Sequence, residues 1–379
     1  MTRPTRTVPP AAEPPADAAQ DRPAPEGAIR YPFAQPPEPG QGVEVAPGIL
    51  WLRLPLPMKL DHVNIFALDD GQREDGTDAG WTIIDTGFNT SRTRELWAAL
   101  IAGPLGGRRI GRVIVTHHHP DHVGLAGWFQ TEHGAELWTT RTAWLFARML
   151  TLDVQERAAP ESIAFWREAG MDADLLAQRA EERPFNFADV VAPMPLGFTR
   201  LHEGGSIAMG GRRWLIRLGN GHAPDHATFW SLDDDLVIGG DQLLPSISPN
   251  LGVYATEPMA DPVSDWLESC TRFAAHAREG HLVLPGHKLP FTGLPFRLHQ
   301  LIENHHSALD RLLAHLAEPR RGGDCFAPLF KRRIGPGEYG LALVETVAHL
   351  NHLLHAGRVR RWRADDGAWL WQALPAAGG

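Results

Sequence analysis

The nine residues Thr116–Gly124, THHHPDHVG, decide how this chain is read. They follow RVIV, a short β-branched run expected to form a buried strand, so the histidines leave a strand end and enter a tight turn. A turn there splays alternate side chains toward two neighbouring points. His117 and His119 face one, and Asp121 and His122 face the other. Two imidazoles suit one zinc-like cation, while a carboxylate and a third imidazole suit a second. His118 falls between the donors and is expected to point elsewhere, with Pro120 helping to fix the turn.

Two cations about 3.5–4 Å apart need more donors than one loop supplies. Three later segments offer them, each at the end of an expected strand: His222 in GNGHAPDHA, Asp241 in VIGGDQLLP and His287 in LVLPGHK. Asp241 is the sole carboxylate in a glycine-flanked strand end and is the natural bridge. The expected partition is His117, His119 and His222 on one ion, Asp121, His122 and His287 on the other, and Asp241 on both. A lone histidine is more often a surface or core residue than a ligand, but seven ordered donors at strand ends are not explained that way. His226 and Asp225 follow His222 closely and read as residues that stabilise its loop.

In this order the four elements resemble the metallo-β-lactamase superfamily, within it the glyoxalase II-like, two-metal branch, over roughly residues 45–310. The resemblance implies an α/β fold, a four-layer αββα sandwich. It implies two divalent metal ions, zinc first, with iron or manganese accepted by the same donors. It also implies hydrolysis of an ester-like bond by a metal-bridging hydroxide, with Asp121 and Asp241 as catalytic carboxylates. The family's D-T-G turn is matched by Asp85 in IIDTG, expected to orient a ligand imidazole.

Outward from the motif, GILWLRLPL, HVNIFAL and WTIIDTG read as strands, and strands then alternate with helical segments, as in layered sheets covered by helices. Residues 141–195 interrupt the alternation with three stretches at helical spacing, a helical insertion between two sheet halves. Its Trp144, Phe146, Met149, Phe165 and Trp166 are enough apolar surface to roof a pocket, although core packing explains most of them. The catalytic domain is expected over 43–320. Beyond it, 321–379 holds a helix closed by Gly357 and two short strands around a DDG turn, a small winged-helix-like C-terminal domain. Residues 1–42 are rich in Pro, Ala and acidic residues and are expected to be a disordered arm. The clusters His305/His306 and His349/His352/His355 read as solvated or structural.

Composition limits the function classes. A formal net charge of −9 argues against a general nucleic-acid binder, although the chain from Arg320 onward holds nine Lys/Arg against five Asp/Glu. Cys270 and Cys325 alone make no disulfide framework, and no uninterrupted apolar run approaches a membrane span, so a cytoplasmic setting is the expectation. For substrate, a small-molecule thioester, ester or lactone leads. Lys288, Ser246, Ser248 and Asn250 are candidates to line the mouth of the site. The C-terminal segment also resembles the tail of the β-lactamase-like endoribonuclease group. RNA cleavage, with Arg358, Arg360, Arg361, Arg363 and Trp362 on a phosphate backbone, is therefore the alternative. The number of subunits is not legible.

Overall fold

The computed structural model describes residues 27–375. Seven strands form the first sheet in sequence order: β1 (Val43–Ala46), β2 (Ile49–Pro55), β3 (His62–Asp69), β4 (Trp81–Ile84), β5 (Ile110–Ile114), β6 (Glu136–Thr140) and β7 (Thr199–Leu201). The β1 to β4 pairs are antiparallel and the β4 to β7 pairs parallel. Five more strands, β8 (Ser206–Met209), β9 (Arg212–Gly219), β10 (His226–Ser231), β11 (Leu236–Gly240) and β12 (Leu282–Pro285), form the second. Helices α1 (Ser91–Ala102), α2 (Pro120–Val123) and α3 (Ala126–His133) lie between strands of the first sheet. Three more, α4 (Arg141–Leu152), α5 (Pro160–Glu168) and α6 (Ala173–Glu181), make up the helical insertion. The second sheet is interrupted by α7 (Pro262–Ala274) and followed by α8 (Leu294–His315), α9 (Phe326–Phe330), α10 (Tyr339–His355) and a hairpin of β13 (Val359–Arg363) with β14 (Trp369–Ala373).

Period-two alternation divides the apolar residues among three layers. Trp51, Ile84, Ile114, Phe229, Ile238 and Leu284 point between the sheets. Their neighbours Leu52, Ile83 and Val113 point out of the first sheet onto Trp97 of α1 and Phe129 of α3. Trp230, Val237 and Val283 point out of the second sheet onto Trp266 of α7 and Leu298 and Leu301 of α8. The result is the four-layer αββα sandwich, with β3 buried from His62 to Leu68 because both of its faces are covered.

Two expectations change. The helical insertion does not separate the two sheets: β7 pairs with β6, so the insertion sits between the last two strands of the first sheet. The short, half-exposed β7 carries too weak a pattern to be read as a strand from sequence. Of the expected disordered arm, residues 1–26 lie outside the described residues. From position 27 onward the chain follows the body, where Arg30 pairs with Thr292 and the Phe33 ring meets Trp51 edge-on at 6.3 Å. Finally, Leu343, Leu350 and Trp371 of the C-terminal elements share one core with Trp266 and Leu312. Among the described residues no helix is long and apolar enough to cross a membrane.

Candidate metal centre

All seven expected donors meet at one edge of the two sheets. His117 and His119 leave the end of β5, and Asp121 and His122 occupy the one-turn α2 that Pro120 starts. His222 comes from the β9–β10 loop, Asp241 follows β11 and His287 follows β12. The sheets are tied where this happens, the Ala227 N–H donating to the Thr116 carbonyl at 2.8 Å.

The polar atoms of these seven residues cluster as His117, His119 and His222 and as Asp121, His122 and His287, with His117, His122 and Asp241 a third group between them. His119 Nδ1 lies 3.0 Å from both His117 Nε2 and His222 Nε2. Asp121 Oδ2 is 3.4 Å from His122 Nε2 and 3.4 Å from His287 Nε2. Asp241 Oδ2 is 3.5 Å from His122 Nε2, 3.5 Å from His222 Nε2 and 3.2 Å from His287 Nε2, so one oxygen faces both groups. Donors around a tetrahedral cation at 2.0–2.1 Å stand about 3.3 Å apart, and these spacings fit. The buried His122 Nε2 and Asp241 Oδ1 have no hydrogen-bond partner among the described residues, as atoms reserved for a cation would. Without one, burial opposes charging His287, but Asp241 and Asp121 outweigh it and push the imidazole up to about 10.

Neighbouring side chains and backbone carbonyls set the tautomers of four of the histidines. Asp85 Oδ2 accepts from His122 Nδ1 at 2.7 Å, and Thr116 Oγ1 meets His117 Nδ1 at 3.0 Å while donating to Asp85. His222 Nδ1 donates to the Asn250 carbonyl at 2.9 Å and His287 Nδ1 to the His62 carbonyl at 2.7 Å. Each partner holds the nitrogen it faces and turns the opposite nitrogen toward the site. Backbone strain gathers here too: Asp85 (φ 63°), Asp225 (φ 52°) and Lys288 (φ 71°) are three of the four non-glycine residues with positive φ among the described residues. Glycine is required beside the bridge, where a Cβ at Gly286 would stand 2.2 Å from Asp241 Oδ1.

Other residues sit differently from expectation. His226 is no loop residue: it is buried, stacks on His117 at 4.5 Å and accepts the Asp241 N–H at 3.1 Å through Nε2. Burial pushes it down to about 3, which keeps Nε2 an acceptor. Asp225 takes a hydrogen bond from Thr142 and so joins α4 to the His222 loop. Asn250 turns its amide away toward α10, and Ser246 and Ser248 are exposed. Lys288 acts through its backbone, its N–H donating to His62 Nε2 at 2.8 Å and its carbonyl accepting from Asn64 at 2.7 Å. Of the expected roof, Phe146 lies 5.0 Å from His118 and Met149 is exposed. Trp144 stacks on Phe198, and Phe165 and Trp166 join the α7–α8 core. Far from the site, His305 and His349 are buried and stacked, the structural of the two roles expected for them, while His352 and His355 meet Asp261.

Sequence reading missed Thr116, His62 and Asn64. Asn64 accepts from Trp51 Nε1 at 2.9 Å and donates to the Pro285 carbonyl at 2.9 Å, fixing the turn that presents His287. Only the placement of His62 and Asn64 in a wholly buried strand hints at a role for them.

Known proteins resemble this chain over most of its length. Residues 60–314 match the Metallo-beta-lactamase superfamily, and residues 309–374 match the Metallo-beta-lactamase-like, C-terminal domain, whose start lies inside α8. A probable metallo-hydrolase of Bacillus subtilis (strain 168), YqjP, is 24% identical over 311 residues, covering 80% of this chain and 92% of that protein. The crystal structure of a Beta-lactamase domain protein from Burkholderia ambifaria superposes with a TM-score of 0.83 at 34% identity, covering 91% of this chain and 98% of that one. A metallo-beta-lactamase family protein from Thermus thermophilus gives 0.71 at 26% identity, covering 87% and 100%. With its layered sheets, its converging histidines and aspartates and these matches, the chain belongs to the metallo-beta-lactamase superfamily.

Proposed function

We propose that this protein is a metal-dependent hydrolase that uses two divalent cations, zinc first, to cleave a small-molecule thioester, ester or lactone. The carrying observation is the pair of donor groups joined at Asp241 Oδ2. Bound there, the cations would supply a water acidified toward neutrality and positive charge for the carbonyl oxygen. The chain does the rest. His226 holds the Asp241 backbone and Asp85 holds His122, so the carboxylate between the groups cannot drift. His119 and Asp121 are only partly buried and form the open side, through which a substrate reaches the site. Asp121 is placed there to pass a proton to solvent, its side chain being 16% exposed against 8% for Asp241.

The acyl reading is favoured over RNA by what the C-terminal arginines do. Arg363 lies 3.9 Å over Trp369 and pairs with Glu168 at 2.7 Å, and Arg361 lies 4.2 Å over the same ring. Arg360 donates to Gln372 at 2.7 Å. Cations committed to neighbouring rings and carboxylates make a poor phosphate track. Beside the site Phe146 and Phe187 flank His118, and Leu145, Met149 and Leu152 give α4 an exposed apolar stripe suited to an acyl chain. The order of the donors along the chain favours the glyoxalase II-like, two-metal branch. Buried free Cys270 and Cys325 suit a reducing cytoplasm.

The test is metal analysis of the purified chain followed by turnover of acyl thioesters, lactones, phosphodiesters and single-stranded RNA. Two cations per chain and acyl turnover insensitive to salt are expected. Metal-free turnover would overturn the reading, and cleavage of RNA with steep salt dependence would replace acyl substrates by nucleic acid.

A further inference from the structure

The connection from Gln242 to Asp261, between β11 and α7, contains no regular helix or strand. Such a segment keeps one shape only where other elements tie it down. Helix α10 does so at four places. Asn250 Nδ2 donates to Glu345 Oε2 at 2.7 Å and to the Leu341 carbonyl at 3.1 Å. The Val253 N–H donates to the Val344 carbonyl at 3.2 Å. Asn351 Nδ2 donates to the carbonyls of Pro258 and Ala260 at 3.1 and 3.0 Å, and His352 Nδ1 lies 3.1 Å from Asp261 Oδ1. Leu251 and Val253 are buried in the same core as Leu343, Val344 and Val347.

The first of these ties lies one hydrogen bond from the metal centre. The Asn250 carbonyl takes the His222 Nδ1 proton at 2.9 Å, while the Asn250 amide is held by α10. A histidine offers Nε2 to a cation only when Nδ1 carries a proton and has an acceptor to aim at. His222 stands on a loop that shares no segment with the triple-histidine turn, so the position of that acceptor decides whether its ring meets His117 and His119. Glu345 is a costly residue to place there. Burial, opposed by the Asn250 hydrogen bond, pushes its carboxyl up to about 7, and the Asn250 amide is its one side-chain hydrogen bond among the described residues.

We propose that Asn250 and Glu345 are positioning residues for His222, so that the C-terminal helix α10 completes the cation site formed by His117, His119 and His222. This rests on the reading of His222 as a metal ligand. The chain of contacts runs from Glu345 Oε2 to the Asn250 amide, through that residue to its carbonyl, and on to His222. The other site, at Asp121, His122 and His287, takes its support from Asp85 and His62 and, among the described residues, has no such link to α10.

The experiment uses the full chain loaded with cobalt, and reads stoichiometry and stepwise affinity by competition with a chelator, with circular dichroism to verify folding. Glu345→Leu and Asn250→Ala are expected to weaken one of the two cations about 10–100-fold and leave the other unchanged. Glu345→Gln, whose amide oxygen still accepts from Asn250, should bind both cations like the unmodified chain. Should Glu345→Leu not fold, Asn250→Ala decides. The proposal is overturned if the folded variants hold both cations at unchanged affinity, or lose both equally, while His222→Ala loses one. If His222→Ala itself keeps both cations, it is the assignment of His222 as a ligand that fails.

Discussion

Asp85 Oδ2 stands 2.7 Å from His122 Nδ1, and through Oδ1 the same carboxylate takes the Thr116 N–H at 2.8 Å. One buried side chain thus fixes a ligand's tautomer and the start of the ligand turn, in a left-handed conformation that aspartate and asparagine tolerate better than most residues. Asp85→Asn keeps the backbone but weakens the acceptor, and should cost about 10–100-fold in affinity for the cation held by His122. Asp85→Ala also orphans the Thr116 N–H and should destabilise the metal-free fold by about 1–3 kcal/mol. Metal titration beside urea unfolding separates the two effects, and an Asp85→Asn protein with unaltered metal affinity would refute the role.

His226 supports the bridge from behind. Its Nε2 is the acceptor for the Asp241 N–H, and its ring fills the space over His117. His226→Ala should leave that N–H unsatisfied, lowering metal-free stability by about 1–3 kcal/mol, and should reduce the content of both cations because Asp241 serves both. Metal content after dialysis reports this directly.

Gly286 has no room for a methyl group. A Cβ there would lie 2.2 Å from Asp241 Oδ1 and 3.0 Å from His122 Cε1. Gly286→Ala should therefore displace the shared carboxylate and abolish turnover while far-ultraviolet circular dichroism stays native. An active Gly286→Ala enzyme would show that Asp241 is not fixed where the structure has it.

Protons and cations compete for the same atoms. In the metal-free chain His287 titrates at about 10, because Asp241 and Asp121 together overcome the opposing effect of burial. At about pH 7.5 its Nε2 is protonated, so binding a cation must expel that proton, and apparent affinity should rise with pH. Calorimetry in buffers of different ionisation enthalpy measures the release, and binding with no proton released would contradict it.

The same shifts set the stability profile of the metal-free chain. His287 is raised, so its contribution is whole below the unfolded value of about 6.5 and is lost as pH climbs through about 10. Asp241 is held well below the usual carboxylate range: burial opposes this, and His287 and His122 outweigh it. Its contribution is whole above about pH 4 and is lost in acid. His117, His119 and His226 are held below their usual value by burial and cost stability as pH falls below about 6.5, so chemical unfolding of the metal-free protein should find this cluster most stabilising near pH 6.5. Stability rising steadily from about pH 6.5 to 10 would contradict the assignment.

The sequence by itself determined the layered α/β fold and picked out the seven side chains that the fold brings together. Strand alternation is written in residue type, and an imidazole or carboxylate beside a strand end is recognisable from its neighbours alone. It determined Asp85 only through resemblance, and it left Asn250 and Lys288 as candidates for the mouth of the site, where the structure binds the Asn250 amide to α10 and the Lys288 backbone to His62 and Asn64. What only the tertiary structure decided is the layer of atoms behind the donors. His287 leans on the His62 carbonyl from 225 residues away, and His222 leans on the Asn250 carbonyl 28 residues on. A carbonyl belongs to every residue, so no local pattern marks the one that serves. Its identity is set when two sheets and the C-terminal helix close on one another.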